Sequence, residues 1–398
     1  MSLGLASRLS VIHPSATLAM AAEAAKLTAQ GIQVFNFSVG EPDFPTPKHI
    51  RASAAAAVEG GATRYTPATG TPDLKAAIVA AAERDRGYKT TPDRIVVSCG
   101  AKHVLFNLAE ALYDPGDEVI IPAPYWVSYP EQVRLVGAVP VIAETTEAQG
   151  FLLQPAELER LVTPKTKAVI LCTPSNPTGA AYDRRALEGL IEVIKKGDYY
   201  VIVDEIYADL VYDGFVQHSM LTLAPELAER IIVVDGVSKT YAMTGWRIGW
   251  SISSPKVASA IAVVQGQSTT NPAAVSQAAA AAALRGARHD LEDMRTAFER
   301  RRNLMIGGLN TIPGVRCRKP EGAFYAFADV SGLIGKKVGD TTLASDTALA
   351  QWLLREAHVV TVAGEPFGAP GYLRLSYACA DATIEAGLAA FKRAVTAS

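Results

Sequence analysis

Ile231-Ile232-Val233-Val234-Asp235, followed shortly by Ser238-Lys239-Thr240-Tyr241-Ala242-Met243-Thr244-Gly245-Trp246-Arg247-Ile248-Gly249, is the stretch whose reading decides the fold. Its first part is short, β-branched and apolar without alternation, the pattern of a strand covered on both faces in a helix-flanked parallel sheet. Lys239 therefore stands just past the carboxyl end of a strand, where open α/β sheets hold their ligands. A lysine there fits three tasks: a clamp for phosphate or carboxylate, a Schiff-base former, or a solvated loop cation. Arg247 follows in a second apolar segment ending near Ile252 and aims another cation at the same crevice. An arginine fork suits a phosphate, and its field favours the unprotonated, nucleophilic form of a neighbouring lysine.

Outward from this stretch, the chain of 398 residues is too long for one compact core, so two domains are expected. Hydrophobic residues at 49% and charged residues at 20% describe an ordinary globular protein. A formal net charge of −2 gives no basic footprint for nucleic acid, so anionic substrates must be caught by local cations. The four cysteines (Cys99, Cys172, Cys317 and Cys379) and the six histidines are scattered without CxxC, HxxxH or HExxH spacing, and no metal is implied. Ser10 and His13-Pro14-Ser15 interrupt the N-terminus before a signal-peptide core forms, and the Ala-rich run from Ala273 to Leu284 is too weakly apolar for a membrane span. A cytoplasmic protein is expected.

In order along the chain, Ser15 or Thr17 caps a helix that Gly31 stops, and Val34 to Ser38 reads as a short strand. Three prolines then force Gly40-Glu41-Pro42-Asp43-Phe44-Pro45-Thr46-Pro47 into extended backbone. A helix opens at Thr71-Pro72 after the loop Arg64-Tyr65-Thr66-Pro67-Ala68-Thr69-Gly70. Ile95 to Ser98 is a strand leading through Cys99-Gly100-Ala101-Lys102-His103 into a helix, a junction whose free amides and dipole suit an anion. Glu118 to Ile121 is a strand before Pro124-Tyr125-Trp126-Val127-Ser128, and Ala168 to Cys172 is another, before Thr173-Pro174-Ser175-Asn176-Pro177-Thr178-Gly179. Val201-Ile202-Val203-Asp204-Glu205-Ile206-Tyr207 ends a buried strand in acids and a phenol, and a carboxylate so placed is costly unless paired. Further on, Gly322 to Phe327 reads as a strand, Leu343 to Ala357 as an amphipathic helix, and Tyr372-Leu373-Arg374-Leu375-Ser376-Tyr377 as an alternating strand.

SKTYAMTGWRIG resembles the lysine segment of the class I aminotransferases, pyridoxal-phosphate (PLP) enzymes of fold type I. It is most similar to the bacterial branch that contains many aspartate aminotransferases. GEPDFPTP, PYWVSYPE, NPTG and the arginine-apolar-serine run at Arg374 resemble further family segments, in the family's order and over nearly the whole chain. The resemblance implies an α/β fold with a mainly parallel seven-stranded sheet between helices and a smaller α+β domain. The large PLP-binding domain would span 47–290, and a discontinuous small domain 1–46 plus 291–398.

Carried over residue by residue, the resemblance makes Lys239 the Schiff-base lysine and proton carrier, and Asp204 the partner of the pyridine nitrogen. Tyr207 and Asn176 become donors to the phenolic oxygen, with a cis bond implied between Asn176 and Pro177. Gly100 and Ala101 form the phosphate cup together with Arg247, and Trp126 stacks on the ring. Tyr65 reaches the phosphate of the neighbouring subunit, which implies a homodimer with shared active sites. Arg374 clamps the substrate α-carboxylate, beside which Gly40 lies. Lys102 and Ser15 stand where this branch recognises a second carboxylate, while the arginine that other aspartate enzymes borrow from the partner subunit has no matching motif. Gly236 departs from the wider family, which has a serine three before the lysine, so phosphate binding leans harder on Arg247 and the helix N-terminus.

The implied reaction is reversible, ping-pong transfer of the amino group from L-aspartate to 2-oxoglutarate, with amino acids and 2-oxo acids as the small-molecule partners. Aromatic amino acids or prephenate are the alternative substrates, and a C–S lyase differs by pocket shape more than by motif. A non-catalytic PLP or amino-acid sensor needs a DNA-binding domain, for which there is no room before Ser15. A nicotinamide oxidoreductase needs G-x-G-x-x-G after the first strand, which is absent.

Overall fold

A computed structural model of the chain describes residues 4–338 and 341–396. Its central feature is a seven-stranded sheet built from β1 (Ile95–Ser98), β2 (Glu118–Ala123), β3 (Val139–Glu144), β4 (Thr166–Cys172), β5 (Tyr200–Asp204), β6 (Ile231–Gly236) and β7 (Gly249–Ile252). The spatial order is β1-β7-β6-β5-β4-β2-β3, and only β7 runs antiparallel to its neighbours. Successive side chains of a strand point to opposite faces. Val97, Val169, Leu171, Val201, Val203, Ile231 and Val233 accordingly enter one apolar core, while Val96, Ala168, Ile170, Ile202, Ile232 and Val234 enter another on the far side. Both faces are covered, which is why these strands carry no polar alternation.

The N-terminal helix α1 (Ala16–Ala29) starts where Ser15 Oγ accepts from the Leu18 amide, and Gly31 beyond its end takes φ 80°. A second helix, α2 (Ala101–Leu112), follows β1 directly, and α3 (Ser128–Leu135) follows the Pro124–Val127 turn. A smaller antiparallel sheet comprises β8 (Arg316–Cys317), β9 (Tyr325–Asp329), β10 (Val362–Ala363) and β11 (Tyr372–Ser376), in the order β10-β11-β9-β8. Helices α4 (His289–Leu309) and α5 (Asp381–Thr396) share its core, which also takes in Phe37, Ile206, Tyr207 and Leu210.

Three elements start later than their sequences suggest, whereas β2 and β4 each extend two residues beyond the expected Glu118–Ile121 and Ala168–Cys172. Only Phe35–Asn36 of the expected Val34–Ser38 strand pairs, in parallel with Val359–Val360, and Asn36 Oδ1 captures the Ser38 amide at 3.0 Å. The strand expected from Gly322 begins at Tyr325, because Ala323 takes a left-handed conformation at φ 57°. The helix expected from Leu343 starts at Asp346, where Ser345 Oγ caps the Ala348 amide, and continues through a widened turn to Ala357.

Candidate active site

The carboxyl ends of the parallel strands open onto a crevice of about 400 Å³. Ser15, Gly40, Ala101, Lys102, Trp126, Asn176, Asp204, Tyr207, Lys239, Arg247 and Arg374 all line it. The polypeptide delivers most of them from strand ends of the large sheet and Arg374 from the small one, while Ser15 comes from the N-cap of α1 and Gly40 from the loop after Phe35–Asn36. Gly100, the N-cap of α2, lies directly against the Arg247 guanidinium. Tyr65 is the exception: it is 88% exposed and lies outside the crevice of its own chain.

Asp204 ends β5, where it is almost fully buried. Tyr129 Oη donates to its Oδ2 at 2.8 Å, and the Ile206 amide donates to Oδ1 at 3.2 Å. Burial pushes this carboxyl up to about 6, against the opposing pull of Tyr129, the Ile206 amide and Lys239. Lys239, past the end of the neighbouring strand β6, donates to the Gly40 carbonyl. Burial pushes its amine down to about 8, an effect that Arg374 and Arg247 reinforce and Glu41 and Asp204 oppose. The acid and the amine thus border one cavity, each held off its ordinary titration range by desolvation.

Arg247 adopts the left-handed conformation at φ 57°, and its guanidinium donates to Cys99 O at 3.1 Å and Thr244 O at 2.9 Å. Any side chain at Gly100 would collide with it, and any at Gly249 would collide with the Ala101 amide. These two glycines let a cation, a strand and a helix N-terminus converge, which is the construction of an anion site. Gly236 pairs with Gly249, and a Cβ on it would come within 2.9 Å of Ile248 O, so the departure from serine goes with close strand packing. Ser238, one before the lysine, lines the crevice.

Arg374 is not the rim residue that a lone arginine in a strand suggests: it is 1% exposed. Its guanidinium donates to Asn176 Oδ1 at 3.0 Å and to Ser38 O at 2.7 Å, and lies over the rings of Tyr325 and Phe367. Nε has no hydrogen-bond partner, and among the described residues no carboxylate comes within ion-pair distance of this buried cation. Asn176–Pro177 is cis, as are Ala123–Pro124 and Thr173–Pro174. At the mouth, Lys102 Nζ lies 4.9 Å from the centre of the Trp126 ring, and burial, with Arg247 nearby, pushes its amine down. Sequence reading passed over Tyr129 and Tyr325, although Tyr129 falls in the PYWVSYPE segment.

Against this geometry the comparisons with known proteins are decisive. The model of the family "Aminotransferase class I and II" matches residues 32–391. The chain is a class I/II aminotransferase. An aspartate aminotransferase of Streptomyces avermitilis is 44% identical over 98% of this chain and 96% of its own length. An aspartate/prephenate aminotransferase of Cereibacter sphaeroides is 44% identical over 95% of each chain. The crystal structure of the aspartate aminotransferase from Rhizobium meliloti superposes with a TM-score of 0.96 at 41% identity, covering 100% of both chains. That of the Thermus thermophilus aspartate aminotransferase with maleate superposes with a TM-score of 0.93 at 39% identity, covering 99% of this chain and 100% of that one.

Aminotransferases of this family work with PLP, and the crevice fits that coenzyme in three independent chemical respects. It offers a cation and helix amides for a phosphate, a buried carboxyl in want of a cationic partner, and a depressed lysine amine for an aldehyde. Among the described residues, no cluster of His, Cys, Asp or Glu could hold a metal, and no helix is long and apolar enough to cross a membrane.

Proposed function

We propose that this aminotransferase moves the amino group of L-aspartate to 2-oxoglutarate, reversibly and by a ping-pong route. The observation that carries the reading is a buried guanidinium without a carboxylate partner, Arg374, in the same crevice as Lys239, with a further cation, Lys102, at the mouth. A dicarboxylic amino acid supplies one anion to each. The names of the Streptomyces and Rhizobium relatives and the maleate bound to the Thermus enzyme support that choice. The Cereibacter relative's name keeps aromatic substrates or prephenate as the second reading.

In this reading Gly100, Ala101 and Arg247 receive the coenzyme phosphate, and Tyr65 joins them from the partner subunit. Asp204 holds the proton on the ring nitrogen, Trp126 covers the ring, and Asn176 and Tyr207 address its phenolic oxygen. PLP supplies an aldehyde that takes up the amino group and a protonated ring that accepts the electron pair left when Cα loses its proton. Arg374 grips the α-carboxylate bidentately beside Gly40 and so presents the Cα proton to Lys239 Nζ. Lys239, with an amine near neutrality, takes that proton and returns it. Donor and acceptor occupy the same crevice in turn, so the two half-reactions alternate. We further infer a homodimer with shared sites, a cytoplasmic location, and a division into a large domain over 47–290 and a small one over 1–46 plus 291–398.

The test is a panel of amino donors against 2-oxoglutarate, with kcat/KM read for wild type and Lys102→Ala. Aspartate is expected to lead, and Lys102→Ala to lose about 10- to 100-fold on aspartate but little on an apolar amino acid, the loss of one charge-assisted contact. Equal losses on both donors would remove Lys102 from substrate recognition, and a panel led by aromatic donors would favour the second reading.

A further inference from the structure

Tyr325 is completely buried and lines the crevice, yet no duty in the proposed reaction falls to it. It pairs with Ser376 across the small sheet, while Arg374 pairs with Phe327. Residues two apart on a strand share a face, so Tyr325 and Arg374 are diagonal neighbours on one face of that sheet. The Arg374 guanidinium carbon lies 4.6 Å from the centre of the Tyr325 ring. At its other end, Tyr325 Oη is 2.8 Å from Tyr207 Oη. A Cβ on Gly40 would stand 3.0 Å from the same oxygen, so Gly40 leaves the room that the hydroxyl uses.

A phenol has one proton to give and lone pairs to accept with. When Tyr325 donates to Tyr207, the proton of Tyr207 is free for the crevice, and the hydroxyls reinforce each other as a chain. The Arg374 cation over the Tyr325 ring favours this direction, because a nearby positive charge makes a phenol the better donor. We propose that Tyr325 is a positioning residue with two separable duties: its hydroxyl aims the Tyr207 phenol at the coenzyme's ring oxygen, and its ring face orients Arg374 for the substrate α-carboxylate. This rests on the tasks assigned to Tyr207 and Arg374 under the proposed function.

The two duties have different readouts. A donor to the ring oxygen withdraws charge from it, so the neighbouring Lys239 nitrogen loses its proton at lower pH; weakening the donor raises that pH. The charged and titratable groups facing this nitrogen are Asp204, Tyr207, Glu41, Arg247 and Arg374, and those facing Tyr325 are Tyr207, Arg374 and Cys172. In the coenzyme-loaded enzyme, the pH midpoint of the visible absorbance change is expected to rise by about 0.5 to 1 unit in Tyr325→Phe. Tyr207→Phe serves as reference and is expected to rise further. The Kd of maleate, an unreactive dicarboxylate, is expected to change less than about twofold in Tyr325→Phe, which keeps the ring, and to rise about 5- to 30-fold in Tyr325→Leu, which removes it. Tyr325→Met replaces the leucine variant if the latter has lost its wild-type thermal midpoint.

A midpoint that moves in Tyr207→Phe but not in Tyr325→Phe would overturn the hydroxyl duty. An unchanged maleate Kd in a folded ring-less variant would overturn the ring duty. A midpoint unmoved even in Tyr207→Phe would instead bring down the underlying assignment of Tyr207, and the inference with it.

Discussion

Lys239 is a basic side chain made into a usable nucleophile and base by where it is kept. Its amine is pushed down to about 8 mainly by burial, with two arginines adding to the effect. Only the neutral amine attacks an aldehyde, so coenzyme uptake by the coenzyme-free protein is expected to rise with pH, reach half its plateau near pH 8 and level off about one pH unit higher. At pH 7 the rate should be about one tenth of the plateau, whereas an unperturbed lysine would keep accelerating to about pH 10.4. Stopped-flow absorbance across pH checks this, and a profile still climbing at pH 10 would show that the crevice does not depress the amine. Lys239→Ala is expected to abolish both the colour change and transamination. Asp204 obeys the same desolvation with opposite sign for its charge: burial pushes the acid up to about 6, and under the proposed function a cationic ring nitrogen would be the partner that restores its ionised form.

Secondary structure contributes its ends more than its middles. The anion site exists because β7 passes tightly beside the first turn of α2, and Gly249 has no side chain to force them apart. Gly249→Ala is expected to cost about 1–3 kcal/mol of stability by overpacking, and to weaken coenzyme binding about 10-fold as the Ala101 amide shifts. Gly245→Ala, where an added Cβ meets nothing within 4 Å, is the control and should leave both nearly unchanged. Thermal denaturation and a coenzyme titration read the two effects separately. Equal behaviour of both variants would show that the strand and helix junction does not set phosphate affinity.

The assembled enzyme extends beyond a single chain if Tyr65 works across an interface. Tyr65 is 88% exposed and does not line the crevice of its own subunit. At a coenzyme concentration too low for Tyr65→Ala to function, mixing that variant with Lys239→Ala is expected to restore activity. One site of each hybrid dimer then holds an intact Lys239 and, from the partner subunit, an intact tyrosine. No recovery, in hybrids verified by mass spectrometry, would confine each active site to one chain.

Much of this molecule was legible in the linear order of residues. Unbroken β-branched runs such as Ile231–Val234 specify strands buried on both faces, and Ser15 and Thr71-Pro72 mark helix starts. The residues just past each strand end mark the crevice, again through local backbone chemistry. The identity of Lys239, Asp204, Asn176 and Arg374 as a set came from resemblance of ordered segments, since no single segment carries it. Contacts between distant elements were not legible. Tyr129 meets Asp204 across 75 positions and Tyr207 meets Tyr325 across 118, and no periodicity records which hydroxyl a packed core will bring to which acid or phenol. An arginine in a strand is usually exposed, so its sequence neighbours do not record that folding buries Arg374 between two rings and an asparagine. Burial, the main cause of the displaced pKa values of Lys239 and Asp204, belongs to the packed molecule because desolvation depends on the surrounding elements and not on a residue's neighbours along the chain.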